Sequence, residues 1–233
     1  MKLIKPSVEL LYFNDDALKL IEIAGRTCYK SEDKIIETSS EKFALQRLKT
    51  GHESVIEHSM ATVRFTCDRG VSHELVRHRL ASYSQESTRY CDYEGGNVVF
   101  IIPKIVVGCF PTVGGDDIWD ETRVIKLSGV LGFHHPAVIW ADIMLYAEAR
   151  YKRLRDAGWS PQWARSVLTN SLKTEVVMTA NFREWRHFFK LRTSAASHPQ
   201  MREVAIPLLK EMQSKIPVMF DDIIPEEKKI TIN

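Results

Sequence analysis

Residues 61–90 read ATVRFTCDRGVSHELVRHRLASYSQESTRY, and this stretch decides the fold class because its periodicity changes along its length. From Ala61 to Cys67 apolar and polar residues alternate, which is the period of a half-buried strand. Ser72 then offers an N-cap for a short helix. The polar residues 81–97 that follow predict a loop. A strand and a helix in direct succession indicate a fold that mixes both.

The rest of the chain repeats this mixture without a regular order. Further strands are predicted near residues 8–13, 98–102 and 174–178, and long helices at about 136–157 and 199–215. No Pro/Gly/Ser-rich linker or internal repeat divides the sequence. We therefore expect an α+β or mixed α/β fold, with one domain over residues 1–233, a mixed or antiparallel sheet and several helices.

Composition excludes several classes of protein. The 233 residues are 44% hydrophobic and 27% charged, with a net charge of +2, which is typical of a globular protein and not of a coiled coil, a disordered chain or a nucleic-acid coat. The four cysteines form no CxxC pair. No apolar run approaches the roughly 18 residues of a membrane span. We expect a cytoplasmic protein with reduced thiols and no membrane or nucleic-acid partner.

The densest polar segment is Arg77-His78-Arg79-Leu80-Ala81-Ser82-Tyr83-Ser84-Gln85-Glu86-Ser87-Thr88-Arg89-Tyr90. Arginines give planar paired donors to phosphate, and hydroxyl groups complete the shell around an anion. Three interpretations fit this composition: an anionic-ligand site, a solvated basic turn, or a nucleic-acid-binding loop in which tyrosines stack on bases. The near-balanced net charge and the separation of the basic motifs along the chain count against the nucleic-acid interpretation.

A second segment, residues 181–192, reads NFREWRHFFKLR. Its polar and aromatic residues could hold a flat heterocycle, but Trp185, Phe188 and Phe189 at helical spacing are equally typical of a core. The eight histidines show no HExxH spacing, so no metal site is expected. Cys67 falls on the apolar face of its strand, which is typical of an inert thiol.

Together these motifs resemble one family, the flavin-dependent thymidylate synthases. Arg77-His78-Arg79, seven further residues and Ser87 are similar to the RHR-x7-S signature of that family. Three other segments match in order: Gly51-His52-Glu53-Ser54 with Glu57-His58, Trp163-Ala164-Arg165, and residues 181–192. A nearer rival, a flavoprotein reductase, would not need Ser87, Arg89 and Arg165 as a clamp for a nucleotide phosphate.

The resemblance implies a mixed α/β homotetramer with active sites between subunits, each holding FAD. It implies methylation of dUMP to dTMP, with methylenetetrahydrofolate as carbon donor, reduced flavin as hydride source and NADPH as the reductant of the flavin. Tetrahydrofolate is then the folate product. Arg165 is expected from a neighbouring subunit, and His52 on the folate side of the flavin.

The resemblance also implies roles for individual residues. The expected flavin contacts are Ser54, Arg77, His78, Arg79, Gln85, Asn181, Arg183 and His187. The expected dUMP contacts are Glu74, Arg77, Gln85, Glu86, Ser87, Thr88, Arg89, Arg165 and Arg192. Arg192 is expected to be catalytic, because a fixed guanidinium stabilises the negative charge that develops on the uracil ring.

Overall fold

The computed structural model describes residues 1–110 and 117–226, where strands and helices are interspersed. The strands are β1 (Lys2–Ile4), β2 (Ser7–Phe13), β3 (Met60–Asp68), β4 (Ala81–Gln85), β5 (Val99–Ile101) and β6 (Lys173–Asn181). The α-helices are α1 (Ala17–Thr27), α2 (Ser39–Lys49), α3 (Arg69–Leu75), α4 (Glu121–Leu131), α5 (Pro136–Asp156), α6 (Pro161–Ala164), α7 (Phe182–Arg192), α8 (Pro199–Lys215) and α9 (Pro217–Phe220). The predicted mixed class of fold is confirmed.

The described residues divide into two compact units. The first unit draws on Met1–Ser7, Thr66–Glu74 and Gln85–Val176. The second unit draws on Val8–Phe65, Leu75–Ser84 and the described residues from Val177 onward. Each unit is therefore assembled from three separate pieces of the chain, and the expectation of one domain stays a prediction.

In the first unit, a parallel pair of strands and a long helix share one apolar core. β1 pairs with β5 so that Leu3 lies opposite Phe100, and both side chains are buried. Helix α5 buries one face at three- and four-residue spacing, through Ala137, Ala141, Met144 and Tyr151. Gly158 follows the helix with a φ of 84°, a conformation that favours glycine. The helix predicted at about residues 136–157 is confirmed.

Most residues of a four-stranded sheet, with strand order β2-β3-β6-β4, belong to the second unit. The predicted alternation in β3 is confirmed, since Ala61, Val63 and Phe65 are all fully buried. The aromatic residues of α7 belong to the hydrophobic core and do not line a site for a flat heterocycle. Trp185 stacks on Phe189 with ring centroids 5.8 Å apart, and both are buried. The Trp185 indole N–H donates to the Ala61 carbonyl at 3.1 Å, so this buried polar group is satisfied.

Two local predictions were wrong. Residues 81–97 were predicted as loop, but Ala81–Gln85 forms β4, a polar strand at one end of the sheet order that carries no apolar alternation to reveal it. Ser72 was predicted to cap α3, but the helix begins earlier, and the Asp68 carboxylate accepts the Val71 N–H at 2.8 Å. Aspartate is an equally good N-cap, and Asp68 is the last residue of β3, one position beyond the predicted strand.

No helix in the described ranges combines the length and the apolar composition that crossing a membrane requires.

Candidate active site

Helix α7 brings the candidate residues of the second unit together. Asn181 ends β6, and its side-chain oxygen accepts the Glu184 N–H at 2.9 Å, which caps the start of the helix. Beside the start of this helix lies a cleft of about 540 Å³. Its lining includes Leu80, Asn181, Arg183, Glu184, Arg186, His187 and Lys190. Three of the expected flavin residues, Asn181, Arg183 and His187, therefore face one cavity.

A buried histidine connects the two ends of α7. His78 Nδ1 lies 3.0 Å from Glu184 Oε1, and Arg192 Nε donates to His78 Nε2, also at 3.0 Å. Arginine is only a donor, so Nε2 carries the lone pair and Nδ1 carries the proton. His78 is therefore neutral in this arrangement, donating to Glu184 and accepting from Arg192.

The surroundings of His78 favour the neutral form. Burial is the main cause that holds the pKa of His78 below its ordinary value, and the positive charge of Arg192 acts in the same direction. The hydrogen bond to Glu184 opposes both. The Tyr83 hydroxyl lies 2.7 Å from the His78 carbonyl oxygen, and burial raises the pKa of Tyr83 to about 12. The hydroxyl thus stays protonated as a donor.

His78, Glu184 and His187 each offer a ligand atom within 4.8 Å of one another, the spacing of a metal site. Both ring nitrogens of His78 are already engaged, however, with Glu184 and Arg192. A metal ion would have to displace one of these partners. The cluster is better explained as a hydrogen-bond relay than as a metal centre.

Arg183 of the cleft and the remaining expected flavin residues of the second unit are exposed. Arg183 pairs with Glu57 at 2.6 Å, and this bond is the main cause that raises the pKa of the guanidinium. Ser54 is exposed on a 3-10 helix, Glu53–His58, and His52, expected on the folate side, is exposed just before it. Arg77 and Arg79, on either side of His78, are also exposed.

The first unit contains most of the expected nucleotide residues. Gln85, expected at both ligands, donates to Ser72 Oγ at 3.0 Å and Thr174 Oγ1 at 3.2 Å. Glu86 receives hydrogen bonds from Lys173 at 2.9 Å and from the Tyr93 hydroxyl at 3.1 Å. These two side chains are thus held by protein partners at the end of β4.

The next residues form a turn rich in phosphate-binding groups. Arg165 Nη1 donates to the buried Thr88 Oγ1 at 2.8 Å, and the Arg89 N–H donates to Ser87 Oγ at 3.3 Å. Arg165 lies in a 3-10 turn directly after α6. That a neighbouring subunit supplies Arg165 to the site stays a prediction.

Sequence reasoning missed the residues that hold this turn in place. Arg155 Nη2 donates to Asp92 Oδ2 at 2.7 Å and to Glu94 Oε2 at 2.9 Å, and the Tyr151 hydroxyl donates to Asp92 Oδ1 at 3.0 Å. We call Asp92, Tyr151 and Arg155 the loop clamp. Its only sequence signal was an arginine at the end of α5, which resembles an ordinary cation at a helix C-terminus. Glu74, another expected nucleotide residue, is half-buried in α3.

Glu184 was also missed as a functional residue. It sits three residues after Asn181, a spacing that indicates a helix cap. The signal that could have revealed it is its position beside Trp185 and near Phe188, because a carboxylate among buried aromatic residues needs a partner.

Comparison with known proteins gives one consistent family. The sequence profile of the family described as thymidylate synthase complementing protein matches residues 9–218. The flavin-dependent thymidylate synthase of Corynebacterium aurimucosum is 31% identical over 210 residues, 87% of this chain and 78% of the relative. That of Mycobacteroides abscessus is 32% identical over 225 residues, 93% of this chain and 84% of the relative.

Solved structures share the fold. Thymidylate Synthase X from Helicobacter pylori, solved with FAD and dUMP, superposes with a TM-score of 0.72 at 20% identity, over 95% of this chain and 100% of that one. A UMP/dUMP methylase, PolB from Streptomyces cacaoi, bound with 5-Br dUMP, also gives a TM-score of 0.72, at 22% identity over 95% of this chain and 96% of that one.

Proposed function

The chain belongs to the thymidylate synthase complementing protein family, that of the flavin-dependent thymidylate synthases, and on this premise we propose that it methylates dUMP to dTMP. The carbon comes from methylenetetrahydrofolate, the hydride from FAD reduced by NADPH, and tetrahydrofolate is released. The observation that carries the proposal is the Arg192 guanidinium held against a neutral, buried His78 beside the cleft.

We propose that FAD binds in the cleft of the second unit. Its volume of about 540 Å³ lies in the range of small-molecule sites. Arg183, His187 and Lys190 offer donors to an anionic pyrophosphate, and the Nε atom of Arg186 is buried with no acceptor among the described residues. The residues proposed to hold FAD are Ser54, Arg77, His78, Arg79, Gln85, Asn181, Arg183 and His187. Bound FAD supplies the hydride chemistry.

The turn of the first unit is proposed to bind the phosphate of dUMP. Arg165 and Arg89 provide positive charge, and Ser87 and Thr88 provide hydroxyl groups, which together suit a dianion. Glu74, Gln85 and Glu86 are proposed to contact the rest of the nucleotide, together with Arg77 and Arg192. Ser87 is not proposed as a nucleophile, because a serine without an activating base is a weak one.

Arg192 is the proposed catalytic residue. C5 of uracil becomes nucleophilic when negative charge is carried on N3, C4 and O4 of the ring. As C5 bonds to the methylene carbon of the folate, that charge leaves the ring and a C–N bond of the folate takes up the electron pair and breaks. A guanidinium already fixed at that edge lowers the barrier without reorganising during the reaction. His52 is proposed to lie on the folate side, and the protein otherwise orients the reactants and excludes water.

The assembly and location are further parts of the proposal. We infer a homotetramer, and large apolar side chains such as Phe133, 73% exposed, and Val130, 82% exposed, support burial against other subunits. A cytoplasmic location is supported by four cysteines that are all free thiols. No nucleic-acid or membrane partner is proposed.

The test is a spectrum of the purified protein with FAD, followed by anaerobic reduction and addition of substrates. We expect bound flavin that is reoxidised with dTMP formation only when dUMP and methylenetetrahydrofolate are both present. Absence of flavin binding, or reoxidation of the flavin without formation of dTMP when both substrates are present, would refute the proposal. Light scattering of the same sample measures the subunit number.

A further inference from the structure

The hydrogen bond between His78 and Arg192 restricts the orientation of the Arg192 guanidinium, the group proposed to act on the uracil ring. Arg192 is the last residue of α7, where a long side chain has many conformations to choose from. Its Nε donates to a ring nitrogen of His78, which is only 4% exposed. Because guanidinium is planar, a bond at Nε fixes the plane in which its two amino groups point.

His78 is itself held from its other side. Its Nδ1 donates to Glu184 Oε1 at 3.0 Å, and its ring packs edge-on against Phe188 with centroids 5.0 Å apart. The Glu184 carboxylate is 8% exposed, so the pair is shielded from water. Such an anchor sets both the tautomer and the rotation of an imidazole ring.

We propose that Glu184 and His78 are positioning residues for Arg192, holding its guanidinium toward the pyrimidine through one relay of hydrogen bonds. This inference rests on the proposed function of Arg192 and adds two residues to it. Glu184 had no assigned role, and His78 was expected only at the flavin.

The relay predicts a specific pH dependence. Protonation of His78 at Nε2 removes the acceptor and places a second cation against Arg192, so the relay breaks on the acid side. The titratable groups that act on the imidazole are Glu184, Arg192 and His187, while the Tyr83 hydroxyl donates to the backbone carbonyl of His78. Burial, Arg192 and His187 lower the pKa of His78, whereas Glu184 raises it. Replacing the carboxylate of Glu184 by an amide therefore moves the acid limb to lower pH.

Two isosteric variants of His78 separate the relay from flavin contact. His78→Gln keeps an acceptor near the position of Nε2, and His78→Asn keeps a donor near the position of Nδ1. Both variants lack the imidazole, so both are assayed with FAD at a saturating concentration. With FAD saturating, we expect kcat to fall less than about 10-fold for H78Q and about 100-fold or more for H78N, as for loss of one preorganised donor.

The pH profile is measured on the same proteins. We expect an acid limb of kcat in the wild type, a shift of that limb to lower pH in E184Q, and its disappearance in H78Q. Nitrogen NMR of histidine-labelled protein checks the relay without turnover: His78, assigned by its absence in H78Q, should be protonated at Nδ1 and unprotonated at Nε2.

The outcomes distinguish the two levels of the proposal. Suppose that the wild type is active. Equal kcat values for H78Q and H78N would then overturn the relay alone, and so would an acid limb that moves in neither E184Q nor H78Q. A wild-type protein that binds FAD but forms no dTMP would overturn the relay together with the proposed function. A proton on Nε2 at neutral pH would contradict the relay whatever the activity.

Discussion

Arg165 and Thr88 are joined by a hydrogen bond of 2.8 Å from Nη1 to Oγ1, although 77 positions separate them in the chain. Thr88 is buried, whereas Arg165 is exposed. The Thr88 hydroxyl therefore holds one terminal nitrogen of a guanidinium that otherwise faces solvent. The bond places a charge beside the hydroxyl groups of the turn at residues 87–89. This arrangement leads to the first prediction.

Arg165→Gln should weaken dUMP binding by about 10- to 100-fold, because a charge-assisted hydrogen bond to phosphate contributes about 1.5–3 kcal/mol. Calorimetric titration with dUMP measures the effect. Arg165→Lys, which keeps the charge, is the matched control and should lose less. 2′-Deoxyuridine, which lacks the phosphate, should bind the wild type and both variants alike, and an equal loss for the nucleoside would remove Arg165 from the phosphate clamp.

Arg192→Ala should lower dTMP formation by about 100- to 1,000-fold while flavin stays bound, because it removes the charge that stabilises the activated uracil. Turnover with saturating substrates and the visible spectrum of the flavin give the two readouts. Arg153→Ala, at an exposed position of α5, controls for loss of a surface cation. Turnover near the wild-type rate with an intact flavin spectrum would disprove the catalytic role.

The loop clamp should stabilise the fold in a pH-dependent way. The hydrogen bond from Arg155 is the main cause that lowers the pKa of Asp92 from 3.8 to about 2. A carboxylate with a depressed folded-state pKa contributes stability above its unfolded-state pKa and loses it as pH falls through the folded-state value. The contribution is therefore complete above about pH 4 and declines toward pH 2.

Urea unfolding of the wild type and of Asp92→Asn measures this effect. The stability advantage of the wild type should be constant from pH 7 to pH 5 and shrink below about pH 4. The size of the advantage is reduced by solvent screening, because Asp92 has 35% of its side chain exposed. If the wild type and Asp92→Asn differ in free energy of unfolding by the same amount at pH 3 and pH 7, the ion pair is not the cause of that difference.

The cysteines should differ in reactivity. Burial raises the pKa of Cys67 to about 12, whereas Cys28 is exposed. Because the thiolate is the reactive form, a thiol reagent at pH 8 should label Cys28 before Cys67, and Cys67 only after denaturation. Mass spectrometry of peptides locates the label. Cys28→Ser should keep the wild-type activity, and a loss of turnover in this variant would give Cys28 a role that the proposed mechanism lacks.

Sequence predicted the elements whose periodicity comes from burial. The one-sided spacing of α5 and the alternation of β3 both reflect apolar faces that must leave water, so they are visible in the residue order. The start of α7 at Asn181 was also predictable, because the cap is a local interaction. The aromatic residues of α7 were compatible with a hydrophobic core or a ligand site. Only their packing in the structure shows that they belong to the core.

The relay and the loop clamp were not predictable because their members are distant in sequence. His78 and Glu184 are 106 positions apart, and Asp92 and Arg155 are 63 apart. Each residue has an ordinary local interpretation as a turn, a cap or a surface charge. Their pairing depends on tertiary contacts that hydrophobic periodicity does not encode.

The composition of β4 has a consequence for solubility. A strand at the end of a sheet presents unpaired backbone groups, to which strands of other molecules can add. In Ala81–Gln85, Ser82 and Ser84 are exposed and the strand is only 5 residues long, so the edge is short and hydrophilic. Valine at both serine positions would make it a flat apolar template for aggregation. The polarity that hid this strand from hydrophobic pattern analysis thus protects the protein from intermolecular β-sheet growth.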